Sequence, residues 1–116
     1  MTTLVEDLQA LLDPLAAGGA HYAINETPAT IPYIVWLRVD STPNVALGGP
    51  SALQNTRVQV DVYAKSFQAA VAIEVALEAA FAASSIQNVP VLSQDFFEDD
   101  VALYRISKDY SVWASN

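Results

Sequence analysis

The sequence predicts an α+β fold, a mainly antiparallel sheet with two helices packed on it, in the order α-β-β-β-α-β-β. The central observation is a strict alternation between Thr56 and Ala64, with small apolar residues at every second position and mostly polar residues between them. A period of two is typical of a half-buried strand. At Ser66 the pattern changes to a long alanine-rich helix. We expect this strand and helix to form the centre of the domain.

The first element is predicted to be a helix over Thr3–Leu15. Thr3 followed by Glu6 forms a capping box, in which each side chain bonds to an amide of the first turn. Five leucines then recur at helical spacing and form one apolar stripe. Pro14 is expected to bend or end the regular helix, and the glycine pair at 18–19 to stop it.

Two strands are predicted next. The stretch Ala20–Glu26 is a candidate short strand, with Tyr22 and Ile24 facing inward. Ile31–Asp40 is a stronger candidate and is apolar at both odd and even positions, as in a strand that is covered on both faces. We therefore expect either a second layer of this chain or another subunit to cover its second face.

The segment Ser41–Asn55 is predicted to be a long loop. It contains Pro43, Asn44, Pro50 and two adjacent glycines, all residues that favour turns. Its 15 residues exceed an ordinary hairpin connection. Long loops inside compact domains are usually either functional or disordered, so this segment is either a candidate functional element or a floppy excursion.

The remainder of the chain is predicted to contain a helix and two strands. Ser66 is the expected cap of the helix that ends at Ala83. Val89–Phe97 is predicted to be extended, an acidic turn follows, and Val101–Trp113 alternates as a last strand. The buried stripe of the helix is expected to centre on Ile73, Leu77 and Ala80. No linker or repeat divides residues 1–116, so a single domain is predicted.

Composition limits the classes of function. The chain has 116 residues, 53% of them hydrophobic, with no cysteine and a net charge of −8. The negative charge disfavours direct binding of nucleic acid. The absence of cysteine excludes disulfides and thiolate metal sites. No basic residue precedes Arg38, and the most apolar run includes Glu74 and Glu78, so neither a signal peptide nor a membrane span is predicted, and folding in a cytoplasm is expected.

No motif points to catalysis, a cofactor or a metal. His21 is the only histidine, and no nucleophile motif accompanies it, although a triad assembled in space leaves no sequence signature. The acids Asp95 and Glu98–Asp100 lack the spacing and the glycine of a calcium loop. An enzyme that used these acids would need a cleft and a raised carboxylate pKa. We therefore predict a non-enzymatic protein with no cofactor.

The basic residues are few, and most are predicted to lie on strands. Arg57, Arg105 and Lys108 fall within strands, and Arg38 ends another. On neighbouring strands they can pair with acids of the same sheet. The acids in question are Asp40, Asp61 and Asp109. Pairing with acids of a neighbouring subunit is the alternative, which a ring of like subunits would repeat at every interface.

Several short motifs occur in a fixed order from Ile31 to Trp113. They are Ile-Pro-Tyr-Ile-Val at 31–35, Ser-Thr-Pro at 41–43, Gly-Pro-Ser-Ala-Leu at 49–53, Arg-Val-Gln-Val-Asp-Val-Tyr-Ala-Lys at 57–65, Glu-Asp-Asp at 98–100, Leu-Tyr-Arg at 103–105 and Asp-Tyr-Ser-Val-Trp at 109–113. In this order they resemble the tail-completion, or head–tail joining, proteins of long-tailed bacteriophages and prophages.

The resemblance implies a structural role in the virion tail or neck, with assembly in the host bacterial cytoplasm. Proteins of this kind cap the finished tail tube, often as a homohexameric ring, and face the head connector. The implied partners are further copies of the chain, the tail tube protein and a head connector or neck protein. The resemblance also implies that the 41–55 loop reaches into the ring or toward a neighbour.

The residues predicted to make subunit or partner contacts fall into three groups. Trp36 and Trp113 are candidates for apolar contacts, and Arg57, Asp61 and Arg105 for pairing between subunits or within the sheet. The candidate assembly loop runs from Thr42 to Leu53 and includes Pro43, Gly49 and Pro50. The alternatives are a head-closure or neck protein, and a small-ligand-binding domain with an enclosed apolar pocket beside either tryptophan.

Overall fold

A computed structural model describes residues 3–24, 30–46 and 49–114. Within these ranges the chain forms one five-stranded sheet and two α-helices. The elements are α1 (Leu4–Leu12), β1 (Ala20–Tyr22), β2 (Tyr33–Ala46), β3 (Gly49–Ala64), α2 (Phe67–Ala83), β4 (Gln87–Glu98) and β5 (Leu103–Ala114). A single 3₁₀ turn, Asp13–Leu15, continues α1. The element order confirms the predicted α+β fold.

The strands are ordered β1-β2-β3-β5-β4 across the sheet. β1 runs parallel to β2, and the three other pairs are antiparallel. The strand that the sequence predicts as central, β3, is indeed in the middle of the sheet. β4 is an edge strand, and α2 is the crossover between β3 and the β4–β5 pair.

The helices begin where their caps predict. The Thr3 hydroxyl accepts a hydrogen bond from the Glu6 amide, and the Glu6 carboxylate accepts one from the Thr3 amide, so the capping box is present. At the start of α2, the Ser66 hydroxyl accepts from the Ala69 amide. The buried stripe of α2 runs through Phe81 rather than Ala80. The buried helix residues are Leu4, Leu8, Leu12, Ala70, Ile73, Leu77 and Phe81.

Both helices pack on the same face of the sheet and enclose one core. The valines of β3 at 58, 60 and 62 are fully buried there, as the alternating pattern predicts. Residues that are in register across an antiparallel strand pair lie on the same face of the sheet. Each of these valines therefore lies next to core-facing residues of the neighbouring strands. Examples are the register pairs of Val62 with Ile34 and with Ile106.

The predicted loop over 41–55 is wrong, because this stretch is a β-hairpin. β2 continues to Ala46, β3 starts at Gly49, and the two strands stay paired along this stretch, with one register shift between Arg38 and Asp40 and another between Pro43 and Val45. We call residues 40–53 the hairpin arm. It extends beyond the rest of the sheet, since pairing with β5 begins only at Gln54. The molecule is correspondingly elongated, with extents of 51 × 27 × 25 Å.

The turn-forming residues that indicate a loop are compatible with a hairpin, because its strands have free edges and a register shift. A proline lacks an amide hydrogen, and its cost in a sheet is small on a strand edge or at a bulge. The register of the arm shifts between Pro43 and Val45, so the irregularity falls beside the proline. Leu47 and Gly48 of the predicted loop lie outside the described residues.

The short strand predicted over Ala20–Glu26 ends earlier, at Tyr22. Ala23 has a positive φ of 67°, a conformation that breaks strand geometry. The predicted inward orientation of Tyr22 and Ile24 is wrong, because they are 43% and 62% exposed. Residues 25–29 lie outside the described part of the chain.

The glycine at position 18 is required by a close crossing of two backbone segments. Its amide donates a 2.7 Å hydrogen bond to the carbonyl of Pro32. A Cβ at this position would lie 2.2 Å from the Thr30 carbonyl oxygen and 2.8 Å from that of Pro32. The crossing therefore leaves no space for a side chain.

We expect Gly18→Ala to lower the free energy of unfolding by about 2–3 kcal/mol, since backbone must move to admit the methyl group. Urea denaturation followed by tryptophan fluorescence measures this change. The matched control is Ala17→Ser at the exposed neighbouring position, with an expected change within about 0.5 kcal/mol. Equal stability of Gly18→Ala and the wild type would contradict the close crossing.

Candidate functional site

The face of the sheet opposite the helices is the first candidate site, and we call it the open face. No helix or strand within the described ranges packs over it. Its central rows combine apolar and charged side chains. One row runs Val35, Asp61, Ser107 and Gln94 across β2, β3, β5 and β4, and the next runs Leu37, Gln59, Asp109 and Leu92.

A third row of the open face consists of three aromatic rings and one guanidinium. Tyr33 stacks on Tyr63 with ring centroids 4.9 Å apart. Arg105 is in register with Tyr63, and its Cζ lies 4.3 Å from the ring centroid of Phe96. Such cross-strand contacts hold the side chains in one arrangement. The row therefore presents a rigid, partly apolar surface.

The guanidinium of Arg105 connects two carboxylates on the open face. Its Nε donates to Glu98 Oε1 at 2.6 Å, and its Nη1 donates to Asp61 Oδ2 at 3.3 Å. Gln59 also donates to Asp61, at 3.1 Å. Burial alone would lower the pKa of Arg105, but the Glu98 hydrogen bond and the Asp61 charge outweigh it and raise the pKa. This cluster satisfies the charge of Asp61, which is only 6% exposed.

We expect Arg105→Gln to destabilise the fold by about 2–3 kcal/mol, because it leaves the buried Asp61 carboxylate without its cation. Asp61→Asn in the same chain should restore part of that loss, and a double-mutant cycle in urea measures the coupling. Arg57→Gln is the control. Arg57 also forms an ion pair, with Asp109 at 3.6 Å, but its side chain is 45% exposed to solvent. Its expected cost is below about 1 kcal/mol. Purely additive effects would contradict the proposed cluster.

Sequence reasoning missed a second ion cluster, which lies under α2. Lys108 faces the helices, and its side chain is 6% exposed. Its Nζ donates to Glu78 Oε1 at 2.8 Å and lies 3.5 Å from Glu74 Oε2. The alternation of β5 places Lys108 on the core face between Ile106 and Tyr110. The signal that could have located the cluster is the pair of acids one helical turn apart on α2.

The Lys108 cluster predicts loss of stability in alkali. Burial alone would lower the pKa of Lys108, but the Glu78 hydrogen bond and the two acid charges outweigh it and raise the pKa above its ordinary value. The folded state therefore holds this proton to higher pH than the unfolded state does. The resulting stabilisation is complete below the ordinary lysine pKa, about 10.4, and is lost as pH rises through the folded value.

We expect Lys108→Met to cost about 1–2 kcal/mol at neutral pH and to remove part of the decline in stability above about pH 10.5. Urea denaturation between pH 8 and pH 12 measures both effects. Lys65→Met, at an exposed position, is the control and should retain the wild-type decline. A wild-type pH profile in the Lys108→Met variant would contradict this assignment.

The structure separates the residues predicted to make partner contacts. Trp36 is fully buried in the core, where its indole Nε1 donates to Gln9 at 2.8 Å. Trp113 is half-buried on the open face near the base of the arm. Arg57, Asp61 and Arg105 form pairs within the sheet. Thr42, Pro43, Gly49, Pro50 and Leu53 all belong to the hairpin arm.

Two surface cavities accompany these features. One of about 400 Å³ lies at the end of the open face away from the arm and is lined by Tyr33, Tyr63 and Arg105 among others. Another of about 470 Å³ lies between α1 and Tyr22, with Trp36 at its floor. Both open broadly to solvent, whereas the small-ligand alternative requires an enclosed pocket.

Other candidate chemistry finds no support in the described residues. His21 Nε2 is 2.9 Å from the Gly18 carbonyl oxygen, a local backbone contact. Across residues 3–24, 30–46 and 49–114, no three His, Asp or Glu side chains form a group that could hold a metal ion. No helix in these ranges has the length and apolar character to cross a membrane.

Comparison with known proteins identifies the family. The family model described as tail completion protein gp17 matches residues 5–115, nearly the whole chain. The chain therefore belongs to the family of gp17 tail completion proteins, which makes it a structural protein of the phage tail or neck. No curated protein sequence is significantly similar to it.

The fold is also found in a solved virion. A chain in the structure described as the virion of a native gene transfer agent particle aligns with a TM-score of 0.63 at 16% identity. The alignment covers 91% of this chain and 82% of that one. At this identity the match establishes a shared fold.

Proposed function

We propose that the protein caps the completed tail tube and joins it to the head connector, as a structural joint without catalytic activity. The observation that carries the proposal is the match of the tail completion family over residues 5–115. A joint of this kind works through surfaces, and the fold offers two: the uncovered open face and the projecting arm. Its partners are the tail tube protein and a head connector or neck protein.

Several copies are proposed to act together as a homohexameric ring. A ring of like subunits can repeat one contact at every position around the end of a tube. The open face supports this role because it is partly apolar but uncovered in the single chain. Trp113 and the charged pairs of Arg57 and Arg105 lie on this face, and the arm lies at its end.

The test is the position of the protein in the particle. The gene is deleted from the phage or prophage that encodes the chain, and lysates are examined by negative-stain electron microscopy. We expect filled heads and tails to accumulate separately. Purified protein carrying a gold label is then added to isolated tails and to isolated tail-less heads.

Binding of the label to one end of isolated tails supports the proposal. Binding only to the vertex of tail-less heads would instead identify a head-closure or neck protein. Normal joined particles after gene deletion would overturn both roles.

A further inference from the structure

We propose that the first half of β4, with the adjoining end of α2, receives the hairpin arm of a second copy of the chain. This inference rests on the proposed ring and specifies the contact between its subunits. The receiving surface comprises residues 79–94, and the inserted element is the hairpin arm, of which the structure describes residues 40–46 and 49–53. The contact joins two different parts of the same chain, so it is heterologous and can repeat around a ring.

The distribution of charged residues along the chain is the reason for choosing the arm and residues 79–94 as the two sides of this contact. Copies that each carry a net charge of −8 repel one another. The two longest runs without a charged residue are Ser41–Thr56 and Ala79–Gln94, each 16 residues long. The first covers nearly all of the arm, and the second covers the end of α2 and the first half of β4. Contact between these runs brings two acidic chains together through segments that themselves contain no charged residue.

β4 offers a free backbone edge for strand addition. It pairs with β5 on one side only, and no described strand lies on its other side. Val91 and Leu92 on this strand are 46% and 47% exposed. Folded proteins commonly protect such edges with charges or proline. Here the charges of Asp95 and Glu98 lie on the second half of the strand. The first half carries no charge, and its irregularity is confined to Pro90 and the register shift between Pro90 and Leu92.

The arm, in turn, lacks a third strand. β1 pairs with β2 only at residues 34–36, and β5 pairs with β3 only from Gln54 onward. Both outer edges of the ribbon are therefore without a partner strand in the described part of the chain. A two-stranded ribbon is marginally stable by itself in water. Addition to a neighbour's β4 would give it a third strand and continue the sheet from one subunit to the next.

A groove lies beside this edge. The cavity has a volume of about 330 Å³ and is bordered by Phe81, Asn88, Pro90 and Tyr110, together with the ion pair of Glu78 and Lys108. Tyr110 is 2% exposed and stacks on Phe81 with ring centroids 4.0 Å apart, so it forms the floor of the groove. Lys108 in the same groove already has two acid partners, so the groove does not call for a charged ligand.

The first test adds one charge to the edge. Val91→Lys places an ammonium on the proposed surface, and Val75→Lys places one on the exposed side of α2, where Val75 is 61% exposed. Sedimentation equilibrium is run on the purified full chain up to about millimolar concentration. We expect Val91→Lys to weaken self-association at least about tenfold, since burying an unpaired charge is costly. Val75→Lys should associate like the wild type.

The second test exploits the absence of cysteine, so that introduced thiols have no competitors. A chain with Val45→Cys and Val91→Cys, treated with a short bismaleimide, should give a ladder of covalent multimers on a denaturing gel. The matched pair of Val45→Cys and Val75→Cys should give few.

The proposal is overturned by equal yields from the two cysteine pairs, by normal association of Val91→Lys, or by a wild-type chain that stays monomeric throughout. None of these outcomes affects the tail-labelling test, which reports on the proposed function separately.

Discussion

Replacement of residues 43–54 by an Asn-Gly turn is expected to give a folded protein that no longer completes tails. The replacement joins Thr42 to Asn55, which are in register across the β2–β3 pair. Asn-Gly favours the tight turn that fits a two-residue hairpin. Since β5 pairs with β3 only from Gln54 onward, the replacement leaves nearly all of the β3–β5 pairing in place.

The expected loss of function is large because the arm is the main projecting element. We expect infectious or joined particles to fall by at least about 100-fold, as every interface of a repeated assembly loses the same contact. Plaque or transduction titre measures the fall, and a wild-type copy supplied in trans should restore it. Circular dichroism and thermal unfolding serve as the folding control. Normal titres from a folded armless chain would contradict an assembly role for the arm.

Trp36→Ala is expected to destabilise the protein by about 3–5 kcal/mol. The ring is fully buried, contacts Tyr22 edge-on with centroids 4.8 Å apart, and donates a hydrogen bond to Gln9. The substitution leaves a large cavity and an unpaired acceptor. Because small domains have only about 5–15 kcal/mol of stability in total, we expect much of the Trp36→Ala protein to unfold on mild heating.

Two further variants separate packing from hydrogen bonding. Trp36→Phe keeps most of the volume but loses the indole donor, and we expect a smaller cost of about 1–2 kcal/mol. Trp113→Ala, at the half-buried position on the open face, should also cost less than Trp36→Ala. Urea denaturation followed by circular dichroism measures all three. Equal costs for the two alanine variants would contradict the assignment of Trp36 to the core.

Local sequence patterns predicted the helix starts and the strand with one buried face. The capping box at Thr3, the valine alternation of β3 and the cap at Ser66 all lie where the sequence places them. These signals depend on neighbouring residues, so the sequence contains them directly. The strand structure of the arm was not predicted, because turn-forming residues dominate its composition. Only the pairing of β2 with β3 shows that these residues lie in a two-stranded ribbon.

The candidate sites were harder to predict from the sequence than the secondary structure, because they depend on tertiary contacts. The positions of the basic residues on strands predicted pairing with Asp40, Asp61 or Asp109 of the same sheet or with acids of another subunit, and the structure contains the pair of Arg105 with Asp61. Trp36 was a plausible contact residue in the sequence, since aromatic residues occur in both cores and interfaces. Its burial depends on where α1 packs. The acid partners of Lys108 could not be predicted from the sequence either, because they depend on where α2 packs.

The two ends of the sheet differ in charge, and this difference affects how the protein responds to salt. The turn between β4 and β5 carries Glu98, Asp99 and Asp100, whereas the arm projects from the opposite end without a charged residue from Ser41 to Thr56. Contacts made by the arm end should vary little with ionic strength. Contacts made by the acidic end with another acidic surface should strengthen as added ions screen the repulsion. Salt titration can therefore distinguish which end of the molecule a given partner occupies.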